Sequence, residues 1–243
     1  MKKVLIFMLS AALLFSMTAC GKTQNSDSNS SSSGTGAASG SVNVTMNPIG
    51  DNSTPTFNED EVLNNLTTTT YTWNDSYNYY VALVIKNNSA LNCNLSANVL
   101  FKNANNELIG AADNSIDAFE ANSEMCLVFS NEEEFVSFDY EYEASKLDYY
   151  DCISSSLSCE TSVTPKKCIT SITNNGEKTA KYVQYRVLFM QGENVVYSDW
   201  GYATDDDSEI KPGKTITKES TFYNSKKDFD NVKVYYTGRA DKS

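Results

Sequence analysis

Ile85-Lys86-Asn87-Asn88-Ser89 and Ile172-Thr173-Asn174-Asn175-Gly176 are two versions of one phrase, 87 residues apart. Val99-Leu100-Phe101 follows the first, and Val187-Leu188-Phe189 follows the second one residue later in phase. With the chain slid against itself by 87 residues, Asn58 falls on Ser145 and Glu61 on Asp148. Leu66-Thr67-Thr68-Thr69 falls on Ile153-Ser154-Ser155-Ser156, and the match runs without a gap for more than 25 positions. Further on, Ala121-Asn122-Ser123 meets Pro212-Gly213-Lys214, and Phe135-Val136-Ser137-Phe138 meets 229–234. The pattern predicts two tandem copies of one fold, at 57–144 and 145–243. A length of roughly 90 residues suffices for a small independent core. It is too long for a solenoid repeat, which runs roughly 20–50 residues.

Each copy reads as strands. Tyr79 to Ile85 is β-branched and aromatic and ends at Asn87-Asn88-Ser89, residues that suit a turn because Asn and Gly tolerate positive φ. Leu95 to Phe101 is the next strand, Asn103-Ala104-Asn105-Asn106 turns, and a return strand starts at Glu107 to Gly110. In the second copy Tyr182 to Phe189 is the strand, Gln191-Gly192-Glu193-Asn194 the turn, and Val195 to Ser198 the return. Lys211-Pro212-Gly213-Lys214 places Pro and Gly where a type II turn wants them. Thr215 to Phe222 and Val232 to Tyr236 complete the set. Short strands with turn signals every 8–12 residues predict an all-β chain of two tandem antiparallel β-sandwiches. One helical signal opens each copy: Asn58 with Glu61 forms a capping-box pattern, and Ser145 with Asp148 repeats it.

Copies built of strand, Asn-Asn-Ser/Gly, a strand ending in Val-Leu-Phe, a polar turn and an apolar return resemble the FxLYD-type modules of Gram-positive cell-surface lipoproteins. The resemblance covers most of 66–143 and 152–239. It implies an Ig-like fold outside the cytoplasm and brings no catalytic residues.

The N-terminus agrees with export. Lys2 and Lys3 precede an apolar run, Val4 to Met17, shorter than the roughly 20 residues of a spanning helix. The run ends in Met17-Thr18-Ala19-Cys20, which resembles a bacterial lipobox: residues 1–19 are expected to be removed and Cys20 to carry a lipid anchor. Residues 21–41 are dominated by Ser, Gly and Asn and bury nothing large, so a flexible linker is expected over 20–56. The 36 residues from Gly21 to Thr56 would have an r.m.s. span of about 33 Å, at about 5.5 Å times the square root of length. The expected location is the cell membrane, held by lipid and facing the extracellular side.

Composition narrows the function. Residues 57–146 hold 15 acidic and 3 basic side chains, a net of −12, against 14 and 13 in 147–243, a net of −1. The first copy would repel DNA, RNA and other polyanions, so no nucleic-acid partner is expected. The sequence has no His, the commonest general base and transition-metal ligand. Cys93, Cys126, Cys152, Cys159 and Cys168 follow Cys20, an odd number in a compartment that permits disulfides. Cys93 with Cys126 and Cys159 with Cys168 are candidate pairs, and buried free thiols are the other reading. Their spacings lack a zinc knuckle.

Three surfaces are candidates for binding. Asp205-Asp206-Asp207-Ser208-Glu209 offers hard oxygens for calcium, or is a solvated loop, as Glu132-Glu133-Glu134 is a charged turn. Tyr71, Trp73, Tyr77, Tyr79 and Tyr80 form a dense aromatic cluster, and Trp200 with Tyr202 is its counterpart in the second copy. These rings either stack on sugars or a partner, or fill the core and dress sheet faces. The expected role is non-catalytic binding, adhesion or scaffolding at the envelope, with a protein or polysaccharide partner. A glycan- or cation-binding module is the alternative and an envelope hydrolase the third. No cofactor and no catalytic residue is expected.

Overall fold

A computed structural model describes residues 57–204, 208–224 and 227–242; the expected signal segment, Cys20 and the linker lie outside them. Among the described residues one short helix, α1 (Glu59–Asn64), precedes thirteen strands. The first six are β1 (Leu66–Asn74), β2 (Tyr79–Asn87), β3 (Cys93–Lys102), β4 (Leu108–Phe119), β5 (Glu124–Asn131) and β6 (Ser137–Lys146). A three-residue strand, β7 (Tyr150–Cys152), comes next. Then follow β8 (Leu157–Thr164), β9 (Lys167–Asn174), β10 (Lys181–Gln191), β11 (Asn194–Tyr202), β12 (Thr215–Thr221) and β13 (Asn231–Asp241). The chain is all-β, and every strand pairing is antiparallel.

Four sheets result. In the first half, 57–146, the orders are β1-β2-β5 and β4-β3-β6; in the second they are β8-β9-β12 and β11-β10-β13, with β7 added beside β13. The inner faces carry the core that the apolar runs demand. Cys93, Leu95, Ala97, Val99 and Phe101 of β3 are buried at alternate positions, as are Val183, Tyr185, Val187 and Phe189 of β10. Phe135 packs on Phe101 at 5.0 Å between ring centroids, and Phe229 on Phe189 at 4.8 Å.

The repeated Asn pair is a clamp rather than a positive-φ turn. Asn87 and Asn174 are fully buried at the ends of β2 and β9. Asn87 Nδ2 donates to the carbonyls of Leu91 and Glu120, and Asn174 Nδ2 to those of Lys178 and Ile210. Asn87 Oδ1 accepts the Ser89 amide N–H, and Asn174 Oδ1 accepts that of Gly176, both at 3.0 Å. The second Asn of each pair reaches the neighbouring strand: Asn88 Nδ2 donates to Thr67 Oγ1 and Asn175 Nδ2 to Ser158 Oγ. Positive φ occurs elsewhere, at Asn106, Asn122, Gly192 and Gly213. Gly213 (φ 72°) and a Lys214 N–H to Lys211 O bond make the expected turn, and Asn122 with Ser123 N–H to Glu120 O repeats it.

Two expectations are corrected. Leu66 pairs with Asn87 and Leu157 with Asn174, so Leu66 corresponds to Leu157 and not to Ile153. A 3-10 turn at Ser154–Ser156 takes up the difference. The second capping box also fails to open a helix. Asn58 does cap α1, accepting from the Glu61 N–H at 3.4 Å. Ser145 and Lys146, however, are held in β6 opposite Asn94 and Cys93, and Tyr150–Cys152 pairs with β13. Backbone groups committed to a ladder cannot also close helical turns.

Candidate binding cleft between the two halves

The cleft exists because two strands are buried on both faces. Along β10, Val183, Tyr185, Val187 and Phe189 belong to the core of the second half, while Leu188 and Met190 belong to that of the first. Along β2 every residue from Val81 to Ile85 is buried. Val84 and Ala82 share their face with Cys126 and Val128 of β5, and Val84 lines a cavity with Lys233, Val234 and Tyr235 of β13. Two sheets therefore stack in the middle of the molecule, and the described residues make one compact unit.

Polar groups seal the edge of this contact. Arg239 stacks between the rings of Tyr150 and Tyr182, at 3.9 and 4.0 Å, and its Nη1 pairs with Asp117 across the interface at 3.2 Å. Thr237 Oγ1 donates to the carbonyl of Ala118 at 3.0 Å. Glu120 receives both the backbone N–H and the hydroxyl of Ser155, at 2.7 and 2.6 Å. Two of these residues hold left-handed φ in defiance of their side chains, Ala118 at 56° and Tyr182 at 46°. Each sits at a register shift, where one strand carries an extra residue relative to its partner.

Arg186 lies on β10 between Trp200 of β11 and Tyr235 of β13, on the face turned to the first half. It is 6% exposed. Its Nε has no hydrogen-bond partner, and it takes part in none of the ion pairs among the described residues. Its Cζ stands 5.8 Å from the Trp200 ring centroid. Burial holds the guanidinium below its ordinary pKa, with Cys126 and Asp199 pulling it back up. A cleft of about 400 Å³ opens beside it. Asn114, Ser115 and Asp117 of β4 form one wall, Ser198, Trp200 and Tyr202 of β11 the other, and Val128, Phe129 and Ser130 of β5 the floor.

The aromatic candidates divide. Trp73 is only 8% exposed, stacked on Tyr80 at 5.1 Å with the rings nearly parallel, so it packs in the interior and presents no face to a ligand. Tyr71 accepts a hydrogen bond from Lys233 Nζ, which also lies over its ring, and so joins the two halves. Tyr79 packs edge-on against Phe135. Tyr77, in the β1–β2 loop, is exposed. Trp200 and Tyr202 are 52% and 45% exposed, meet at 5.9 Å and stand at the cleft. Asp205 to Asp207 lie outside the described residues; of that run Glu209 pairs with Lys211. Glu132, Glu133 and Glu134 are exposed, and no cluster of three metal-ligating side chains occurs among the described residues.

The candidate disulfides do not form: Cys93, Cys126, Cys152, Cys159 and Cys168 all carry free thiols. Cys93 is on the inner face of β3, while Cys126 is on the face of β5 turned to the second half, so the sheet separates them. Cys159 pairs with Ile172, four residues along β9 from Cys168. That is roughly 13 Å at about 3.3 Å per residue, beyond the roughly 7 Å limit between Cα atoms. Burial pushes the thiols of Cys93 and Cys126 up to about 12 and that of Cys159 to about 11.

Arg186 is the functional candidate that sequence reasoning missed. Its signal was a lone cation in the run from Tyr182 to Met190, whose other residues are apolar or aromatic except Gln184.

No family model matches the sequence, and no curated protein matches it. Among solved structures, the crystal structure of red sea bream transglutaminase aligns with 72% of this chain and 29% of its own, at 10% identity and a TM-score of 0.25. A likeness at that level carries no argument about activity.

Proposed function

We propose that this chain is a lipid-anchored, non-catalytic binding protein of the bacterial cell surface, built of two tandem Ig-like sandwiches that hold a ligand in the cleft between them. The observation that carries the reading is the unpaired guanidinium of Arg186 on a polar cleft where the halves meet. A buried cation without a counter-ion is expensive, and proteins keep one chiefly where something else supplies the acceptors. The tandem reading draws support from the recurring strand orders and from the paired clamps at Asn87 and Asn174. The Ig-like, extracytoplasmic reading draws on the FxLYD-type resemblance of the sequence. Catalysis is disfavoured by the absence of His from the sequence and by thiols raised far above neutral pH, which leave little thiolate to attack.

The anchor is tested by Cys20→Ala in the native cell. The unmodified chain is expected in the membrane fraction and the variant in the medium; equal retention of both would remove the lipid anchor. The binding role is tested by passing solubilised envelope over immobilised residues 21–243. Retention by the folded chain, lost after heat denaturation, supports it, and no difference between the two counts against it.

A further inference from the structure

The chemistry of the Arg186 cleft narrows its ligand, on the reading that the cleft is a binding site. A guanidinium offers five N–H donors and no acceptor. Here the Nε proton is unpartnered, and no carboxylate among the described residues pairs with the group. Asp117, the acidic residue of the cleft wall, is already committed to Arg239. What enters must therefore bring acceptor oxygens and negative charge, and a carboxylate matches the planar fork of Arg two bonds at a time. The surrounding first half carries a net charge of −12, which favours a single negative charge over a polyanion or a dianionic phosphate.

The rest of the cleft specifies the body of the ligand. Its walls carry the amide of Gln184 and the hydroxyls of Ser115, Ser130 and Ser198, while the Asn114 amide is held by the Val128 carbonyl and the Ser115 N–H; an aliphatic ligand would face unpaired polar groups. Trp200 and Tyr202 stand half-exposed at the same cleft. Indole and phenol rings cover the C–H faces of a sugar while neighbouring amides and hydroxyls bond its edge. A volume of about 400 Å³ is small for a ligand site and suits one or two sugar units.

We propose that the cleft binds a carboxylated sugar residue of the uronic acid type, with its carboxylate on Arg186 and its ring against Trp200. The residue can arrive free or as the end of a glycan, and both sources share this chemistry.

The test is calorimetric titration and thermal denaturation of residues 21–243 with sodium glucuronate, sodium galacturonate and a trisaccharide of two neutral sugars ending in one glucuronate. Glucose, acetate and inorganic phosphate serve as comparisons. At least one uronate is expected to bind saturably and raise Tm, with glucose and acetate much weaker; tighter binding of the trisaccharide would identify a glycan end as the source. Arg186→Met is expected to weaken uronate binding by at least roughly 30-fold, and Trp200→Ala by roughly tenfold. Replacing an unpaired buried charge by an apolar chain of similar length should keep or raise Tm without ligand, so lost binding in Arg186→Met does not reflect unfolding. Arg186→Lys keeps the charge without the fork and should bind at an intermediate level. Arg186-dependent binding of acetate or phosphate but of no uronate would overturn the sugar assignment and leave the cleft a binding site. Uronate binding unchanged in Arg186→Met, or no Arg186-dependent binding of any probe, would overturn the site itself.

Discussion

Asn87 and Asn174 show how much one side chain can decide. Each sits fully buried where a strand ends and donates to two backbone carbonyls, one four residues on and one far away in sequence, Glu120 for Asn87 and Ile210 for Asn174. Removing the amide takes one bond from each carbonyl, although Glu120 O keeps Ser123 and Ile210 O keeps the Ala180 N–H, and it strips the Ser89 or Gly176 N–H of its acceptor, at roughly 1–3 kcal/mol for each unsatisfied group. Asn87→Ala and Asn174→Ala are each expected to lower stability by about 2–4 kcal/mol, read as a fall in the urea midpoint at constant slope. Asn88→Ala, whose amide bonds at the exposed surface, should cost less than either. Equal effects at Asn87 and Asn88 would sink the clamp account. Arg186 is the opposite case at the same scale: a buried group whose Nε–H finds no acceptor among the described residues.

Among the elements, the connections follow their turn chemistry closely. Gly213 has φ 72° with nothing within 4 Å of a would-be Cβ. Gly213→Ala therefore meets no neighbour and is strained through the backbone alone, at roughly 1–2 kcal/mol. Asn122 occupies the matching position of the first half at φ 59°. Asn122→Gly is thus expected to be neutral or slightly stabilising, since it keeps the turn and loses only an Asn side chain. Thermal denaturation of the pair checks both signs, and a Gly213→Ala variant as stable as the parent would remove the turn argument. Gly192, at φ 59°, opens the two-residue loop that joins Gln191 to Asn194, where a hairpin prefers positive φ at the first loop position. The missing second helix belongs to this scale too. Its capping signal is real as a local preference, but the pairing of β6 with β3 and of β7 with β13 claims the same backbone.

The whole molecule is governed by the apolar contact between its halves. Leu188, Met190, Val195 and Tyr235 from the second half lie in one core cluster with Val84, Cys126 and Leu127 from the first. A contact of that character couples the folding of the two halves. One calorimetric transition is expected for residues 21–243. Leu188→Asp puts a charge into that contact and should lower Tm and split the trace into two transitions, because each half retains its own inner core. Two transitions in the parent chain would contradict the coupling.

The sequence by itself determined the class of the fold and much of its punctuation. Period-two burial, β-branched runs and Asn, Gly and Pro at turns are local quantities, set by φ/ψ preference and by the two faces of a strand. They foretold β2, β3, β10, the Gly213 turn and the correspondence of Phe135 with Phe229. They also carried the repeated Asn phrase, though not its job, because a clamp is defined by the distant carbonyls that it reaches. Only the tertiary structure decided which outer faces are buried. It moved Trp73 into the interior, left Trp200 at a cleft, left the five thiols unbonded and enclosed Arg186. Those outcomes depend on how one sheet stacks on another, and residues brought together that way carry no short-range mark in the chain.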